Sequence, residues 1–386
     1  MDTHEFNGVA GSLVLPSGQI YKAFIPKPLP VKIEYDEELI QLISEASMKL
    51  GKLEGAGYLL RNPHLLLIRP YMQKEAVLSS KIEGTISSLS DVLLYEAKEE
   101  GGESERKKSD DIKEVRNYVS AMEQGIEEIE TNNIDMKLLL SLHQTLLKNV
   151  RGATRDPGKL KQVQNWIGRR GCEITEATFV PAPPENVPEL LENLFAYIKE
   201  DNGVSALVKM GMVHYQFEAI HPFRDGNGRI GRLLITLSLM KKRTLSLPLL
   251  YLSAYFERNK DTYYGSLLKV SQKADYTNWL KFFLKGVITQ SDDCTKRIKK
   301  IMEYHDECRT KVKLATNSTN CLLVLDSLFV NPYITIPHSA KIIGKGYPSG
   351  KRAVETLEKL GIIEEITRQQ RSKVYLARKI IRIIEG

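Results

Sequence analysis

Apolar residues recur at helical spacing over most of this chain. Leu39, Ile40, Leu42, Ile43 and Ala46 mark a helix that starts near Asp36. A second helical pattern runs from Pro63 to Tyr95, broken at Gly84, with Ser90 placed to cap the helix that follows. The same period returns from Asp111 to about Asn149, from Asn186 to Lys199, and from Val204 to about Thr310. Between them, RGATRDPGKLKQVQNWIGRRGCEITEATFVPAPPENV alternates differently. Its glycines and its Thr, Phe and Val content predict a small β-hairpin, stopped by Pro181, Pro183 and Pro184. The first 35 residues, rich in Pro, Gly and aromatics, read as an extended arm laid over the body. The charged, glycine-containing stretch 97–110 reads as a flexible surface loop. After Thr310 come a helix over Asn317–Phe329, a short helix over Pro337–Ile343, and a helix over Tyr347–Leu360 that Gly361 ends. Two strands follow, GIIEEITRQQ and SKVYLARK, joined by a polar tip at 368–372. Three helices and a basic-tipped hairpin predict a winged helix-turn-helix unit. No repeat period is present. The expected fold class is mainly α, with one small β-hairpin and a C-terminal winged-helix domain. The expected division is residues 1–110, 111–300 and 312–386.

Composition narrows the class. With 42% hydrophobic and 27% charged residues in 386, disorder and collagen-like structure are excluded. No apolar run approaches the roughly 20 residues of a membrane-spanning helix. The N-terminus has early acids and no basic stretch before an apolar core, unlike a secretory signal. Cys172, Cys294, Cys308 and Cys321 lack CxxC spacing and read as reduced thiols of a cytoplasmic protein without a membrane partner. The net charge of +7 is unevenly placed. From Arg309 to Gly386 there are 14 Lys and Arg against 6 Asp and Glu, a surplus of eight, so the remainder carries −1. A basic tail on a neutral body points to a module for polyanions such as DNA.

The chemistry concentrates in His221-Pro222-Phe223-Arg224-Asp225-Gly226-Asn227-Gly228-Arg229-Ile230-Gly231-Arg232. Apolar helical faces lie on both sides: Val213, Phe217, Ala219 and Ile220 before it, and Leu233, Leu234, Ile235, Leu237 and Leu239 after it. A Gly-Asn-Gly turn that opens a helix presents free backbone N–H groups at the positive end of the helix dipole, which is an anion site. Arg229 and Arg232, three apart, project from one face of the first turn and suit a polyphosphate. Asp225 supplies a hard oxygen ligand for Mg²⁺ between phosphates. His221 can accept a proton near neutral pH. Together these are the parts of nucleotidyl transfer. A zinc site from His214 and His221 lacks a third ligand in sequence reach.

The string HPFRDGNGRIGR resembles, without departure, the Fic family signature HPFx(D/E)GNGRxxR. QNWIG…ATFVPAPPENVPELLENL is similar to the family's flap and the helix after it. LPLLYLSAYFERNKDTYYGSLLKV is similar to the region that follows the motif. Ser79-Ser80-Lys81-Ile82-Glu83-Gly84 fits the inhibitory motif (S/T)xxxE(G/N). The resemblance spans roughly Ile33 to Gly286. It implies a Fic helical core with a β-hairpin flap, and protein AMPylation: AMP moves from ATP to a Tyr, Thr or Ser hydroxyl of a target protein, and pyrophosphate leaves. On this resemblance His221 deprotonates the hydroxyl and Asp225 holds Mg²⁺. Asn227 and the N–H groups of Gly226 and Gly228 bind the α- and β-phosphates, Arg229 assists the β-phosphate, and Arg232 takes the γ-phosphate. Ile230 and Gly231 lie within the same binding run, and Phe223 anchors the loop. Thr178–Val180 aligns the target by strand addition. Trp166, Ile167, Gly168, Tyr263 and Tyr264 are candidates around the nucleotide. Glu83, within the motif that Ser79 and Gly84 bound, competes for Arg232 and silences the enzyme. In some relatives the equivalent Glu orients water for the removal of AMP, so de-AMPylation is an alternative. Relatives also suggest a homodimer and self-modification. A different class of function is a DNA-binding regulator that uses the basic tail, with Lys351 and Arg352 on the candidate recognition helix. UMP, phosphate or phosphocholine transfer is a further alternative.

Overall fold

The structure, a computed structural model, describes all residues except 59, 61–67, 103–109, 151–154, 170, 202 and 368–371. The N-terminal arm forms a two-stranded antiparallel sheet, β1 (Gly11–Val14) and β2 (Ala23–Pro26), in the register Gly11 to Pro26. It lies on the body as expected. The Phe24 N–H donates to the Val180 carbonyl at 2.9 Å. The Phe24 ring packs between those of Phe6 and Phe179, with centroids 5.5 and 5.7 Å away.

The body is helical: α1 (Glu37–Tyr58), α2 (Ile68–Ile82), α3 (Leu89–Glu100), α4 (Asp110–Thr131) and α5 (Met136–Leu146) come first. They are followed by α6 (Val187–Lys199), α7 (Ala206–Ile220), α8 (Asn227–Lys241), α9 (Ser253–Arg258), α10 (Lys260–Lys273) and the 40-residue α11 (Tyr276–Ala315). Helices α7 and α8 are buried on nearly every side and form the centre of the core. They therefore lack an exposed polar stripe, and the motif lies in the turn between them.

Three local expectations are corrected. Ser88, not Ser90, caps α3: its Oγ accepts the Asp91 N–H at 3.1 Å while the Asp91 carboxylate accepts the Ser88 N–H at 2.9 Å. This reciprocal pairing satisfies two orphan N–H groups at once, which a cap at Ser90 would not. Helix α3 then continues to Glu100, into the stretch expected to be loop. Residues 103–109 of that loop lie outside the described residues, as do 63–67 of the second helical pattern. Among the described residues, the predicted hairpin between α5 and α6 is reduced to one antiparallel bridge, Ile167 with Phe179.

Beyond α11 the order is α12 (Thr319–Leu328), β3 (Tyr333–Thr335), α13 (Ile336–Ile343), α14 (Tyr347–Lys359), β4 (Glu364–Glu365), β5 (Val374–Leu376) and α15 (Arg378–Glu385). The sheet order is β3-β5-β4, all antiparallel. Strands β1 and β2 of the arm, strand β3 and helix α15 go beyond the sequence expectation, which placed one small β-hairpin between α5 and α6 and two strands in the tail. β3 is three residues long and buried throughout, so it shows no alternation. α15 begins inside the run read as the second strand, because Ile380, Ile381 and Ile384 turn inward at helical spacing. The tail is tied to the body. Lys74 of α2 donates to the Ile384 carbonyl at 2.8 Å, and Arg297 of α11 donates to the Ile383 carbonyl at 2.9 Å.

Candidate active site

The motif loop is set by its ends. His221 caps α7 in the left-handed conformation (φ 51°), and Gly226 opens α8 with φ 79°. Gly226 takes that conformation without the Cβ penalty, and Pro222 cannot prolong α7. The stretch between is pinned from behind. Asn227 accepts the Phe223 N–H at 2.8 Å through Oδ1 and donates Nδ2 to the Phe223 carbonyl at 2.7 Å. Asn165 Nδ2 donates to the carbonyls of His221 (3.2 Å) and Phe223 (2.7 Å). Lys161 donates Nζ to Asn165 at 2.8 Å and its backbone N–H to the Pro222 carbonyl at 2.9 Å. Phe223 is fully buried.

This arrangement redistributes the expected phosphate donors. The Asn227 side chain is committed to the loop, and the Gly226 N–H faces Asp225 Oδ1 at 2.6 Å. The Ile230 N–H closes the first helical bond, to the Gly226 carbonyl, and its side chain is buried. At Gly231, on the rear of the helix, a Cβ would collide with Glu218 Oε1. The site residues Gly226, Asn227, Ile230 and Gly231 thus hold the motif loop and the start of α8 in place. Among the described residues no side chain caps α8, which leaves the first-turn N–H groups of Asn227, Gly228 and Arg229 as the open donors.

Glu83 lies directly over that turn. A Cβ on Gly228 would collide with Glu83 Oε1, so only glycine lets the carboxylate approach the helix so closely. The same Oε1 accepts Arg232 Nη2 at 2.7 Å. Arg232 is buried and also donates to Ser79, through Nε to Oγ at 2.8 Å and through Nη2 to the carbonyl at 2.9 Å. Gly84, with φ 99°, ends α2 and turns the chain away, leaving Glu83 at the helix terminus. Burial works to raise the Glu83 pKa, but the Arg232 charge outweighs it and holds the carboxyl below its ordinary range. Burial likewise opposes the charge on Arg232, yet Glu83 keeps it well above the usual value.

Asp225 sits at the rim. Its Oδ2 accepts Arg155 Nη1 at 3.1 Å, and its Oδ1 accepts Arg229 Nη2 at 3.3 Å. Arg229 is buried, with Nη1 3.5 Å from Glu114 Oε2, and its Nε has no hydrogen-bond partner among the described residues. Among the described residues no three His, Cys, Asp or Glu side chains converge as a metal cage. Burial, reinforced by the Lys161 charge, lowers the His221 pKa to about 3, so its imidazole is neutral at physiological pH. Glu218 Oε2 stands 4.0 Å from its Nδ1.

The remaining candidates divide. Trp166 and Ile167 are exposed on the flap segment, where the Ile167 N–H donates to the Phe179 carbonyl at 2.8 Å. Gly168 packs so close to Cys172 Sγ that a Cβ would come within 2.6 Å of it. Tyr264 is part-exposed, but Tyr263 is corrected to a core residue. It is buried, stacked on Phe256 with centroids 4.4 Å apart, and bonded through its hydroxyl to His214 at 2.7 Å. His214 thus has an aromatic partner deep in the core. Sequence reasoning missed the supporting set Lys161, Asn165, His143, Arg155 and Glu114. The only local signal was a polar residue, His143, at a core position of the apolar run LLLSLHQTL.

Sequence models of the Fic/DOC family match this chain twice: the family's N-terminal region over residues 40–127, and the Fic/DOC domain over residues 133–239. A probable protein adenylyltransferase of Aquifex aeolicus is 30% identical over 110 residues, 27% of this chain and 34% of that protein. A protein adenylyltransferase of Caenorhabditis elegans is 28% identical over 114 residues, 29% of this chain and 20% of that protein. The chain thus spans about a third or less of the length of these relatives. In structure it is similar to a Fic family protein of Desulfovibrio desulfuricans, with a TM-score of 0.57 at 19% identity, covering 89% of this chain and 97% of the other. The C. elegans protein superposes with a TM-score of 0.51 at 21% identity, covering 69% and 74%.

Proposed function

Because this chain carries a Fic/DOC domain with the family's N-terminal region ahead of it, we propose that it is a protein adenylyltransferase held in check by Glu83. In the proposed reaction the hydroxyl oxygen of a target Tyr, Thr or Ser bonds to the α-phosphorus of ATP. Its proton moves to the neutral imidazole of His221, and the bond to pyrophosphate breaks. The first-turn N–H groups of α8, with Arg229 and Arg232, stabilise the charge gathering on the phosphates. The observation that carries this reading is the Glu83 carboxylate seated on that turn and on Arg232: an anion already occupies the position a triphosphate would take.

Asp225 suits Mg²⁺ better than any all-protein cage would, since Mg²⁺ takes one or two carboxylates and completes its shell with phosphate oxygens and water. Bound there with ATP, Mg²⁺ would neutralise charge between the phosphates. Docking of the target by strand addition was expected at Thr178–Val180; that stretch is already bonded to Ile167 and, through the Val180 carbonyl, to Phe24, so a target strand pairs there only where these bonds give way. The test is label transfer. Radiolabel from α-labelled ATP is expected on protein and label from γ-labelled ATP is not; the reverse pattern would make the chain a phosphotransferase.

A second reading concerns the tail. The pair α13–α14 with the β3-β5-β4 sheet supports a winged helix, and Lys351 and Arg352 lie exposed on α14. If α14 meets the backbone of duplex DNA, log affinity should fall with log salt at a slope of about −0.9 per phosphate contacted. A flat salt response in a duplex-binding titration would instead make the tail a protein-docking element.

A further inference from the structure

One buried side chain ties the motif loop to a second loop. His143 of α5 is fully buried, its ring flat against Phe223 with centroids 3.7 Å apart and planes 8° apart. The Gly158 N–H donates to His143 Nδ1 at 2.9 Å, so Nδ1 carries no hydrogen. The ring hydrogen is then on Nε2, which lies 3.0 Å from the Asp225 carbonyl oxygen and donates to it. The imidazole is a strut between two backbones. The loop at its far end also reaches the motif directly, through Arg155 to Asp225 (3.1 Å) and Asp156 to Arg224 (3.2 Å).

We propose that His143 is a positioning residue for the cation-binding edge of the site. It fixes the Asp225 carbonyl, and with it the direction of the Asp225 carboxylate. This rests on Asp225 as the ligand of the cation that accompanies ATP. A site with one protein carboxylate depends on how that carboxylate is aimed. Here Oδ2 meets the half-exposed Arg155 while Oδ1 meets Arg229 and the Gly226 N–H, and the buried bond from His143 holds the Asp225 backbone from which those contacts are made.

The experiment uses the full chain carrying Glu83→Gly, with Mn²⁺·ATP as the probe and its binding followed by calorimetry and by the Mn²⁺ electron resonance signal. His143→Phe keeps the stacked ring and its volume but loses both hydrogen bonds. His143→Gln gives up the stack but keeps a donor at a similar reach. The Phe variant is expected to bind Mn²⁺·ATP about tenfold more weakly and the Gln variant to stay within about threefold of the parent, while metal-free ATP binds all three alike. A role in packing alone would reverse that order, and the reversed order overturns the proposal. So does a Phe variant that binds as the parent does while Asp225→Asn does not. If Asp225→Asn also leaves binding intact, the assignment of Asp225 falls and the proposal falls with it. Should the Phe variant fail to fold, His143→Asn takes its place with the same expected loss, since it reaches Gly158 but not Asp225.

Discussion

Glu83→Gly is expected to raise the rate of AMP transfer about 10²–10³-fold, read as label incorporated from α-labelled ATP under saturating Mg²⁺. Arg232 now gives Nη2 to Glu83 and Nε to Ser79. Restoring one well-aimed charge contact in a water-poor site is worth about 3–4 kcal/mol in the transition state, which sets that range. The fold should tolerate the change. The Glu83 side chain is 37% exposed, and Arg232 keeps both the Ser79 hydroxyl and its carbonyl, so no buried guanidinium is stranded. The substitution also removes a negative charge from the C-terminal end of α2, where the helix dipole opposes it. Equal incorporation by parent and variant would remove the inhibitory role. If Glu83 instead orients water for AMP removal, the variant will accumulate modified protein without a faster initial rate.

His221→Ala, placed in the Glu83→Gly chain, is expected to lose transfer by at least about 10²–10⁴-fold while still binding ATP. In the proposed reaction α8 and the two arginines hold the phosphates, and none of them depends on the imidazole. Among the described residues His221 Nδ1 has no hydrogen-bond partner, so little is lost in the loop itself. The left-handed backbone at 221 costs Ala on the order of 1 kcal/mol, too little to unfold a body whose loop is fixed by Asn165, Lys161 and Asn227. Calorimetry should give an ATP affinity close to that of the parent. Undiminished transfer would mean that another group takes the proton.

The pocket was legible in the sequence because its chemistry is contiguous. The turn, the first helical turn of α8, the two arginines and the rim carboxylate all lie within twelve residues, and chain order alone brings them together. The clamp on that pocket was not, since Glu83 and Arg232 are 149 positions apart and only a resemblance linked them. Resemblance could not reveal the struts either. Asn165 stands 58 residues from Phe223 and His143 stands 82 from Asp225, and each is one polar residue in an otherwise unremarkable run. Tyr263 and Tyr264 show the complementary difficulty: adjacent aromatics on one helix, with ring centroids 5.1 Å apart, differ in burial, and only packing tells which lies in the core. Helix α15 was misread because Val374-Tyr375-Leu376 continues into isoleucines with no breaker between.

The most direct test of the account is a crystal structure of the Glu83→Gly protein with ATP and Mg²⁺. The terminal phosphate is expected on Arg232, the β-phosphate on the first turn of α8, and the α-phosphorus exposed on the side of the His221 ring. A nucleotide bound elsewhere, with that turn untouched and His221 facing away from the α-phosphorus, would contradict it.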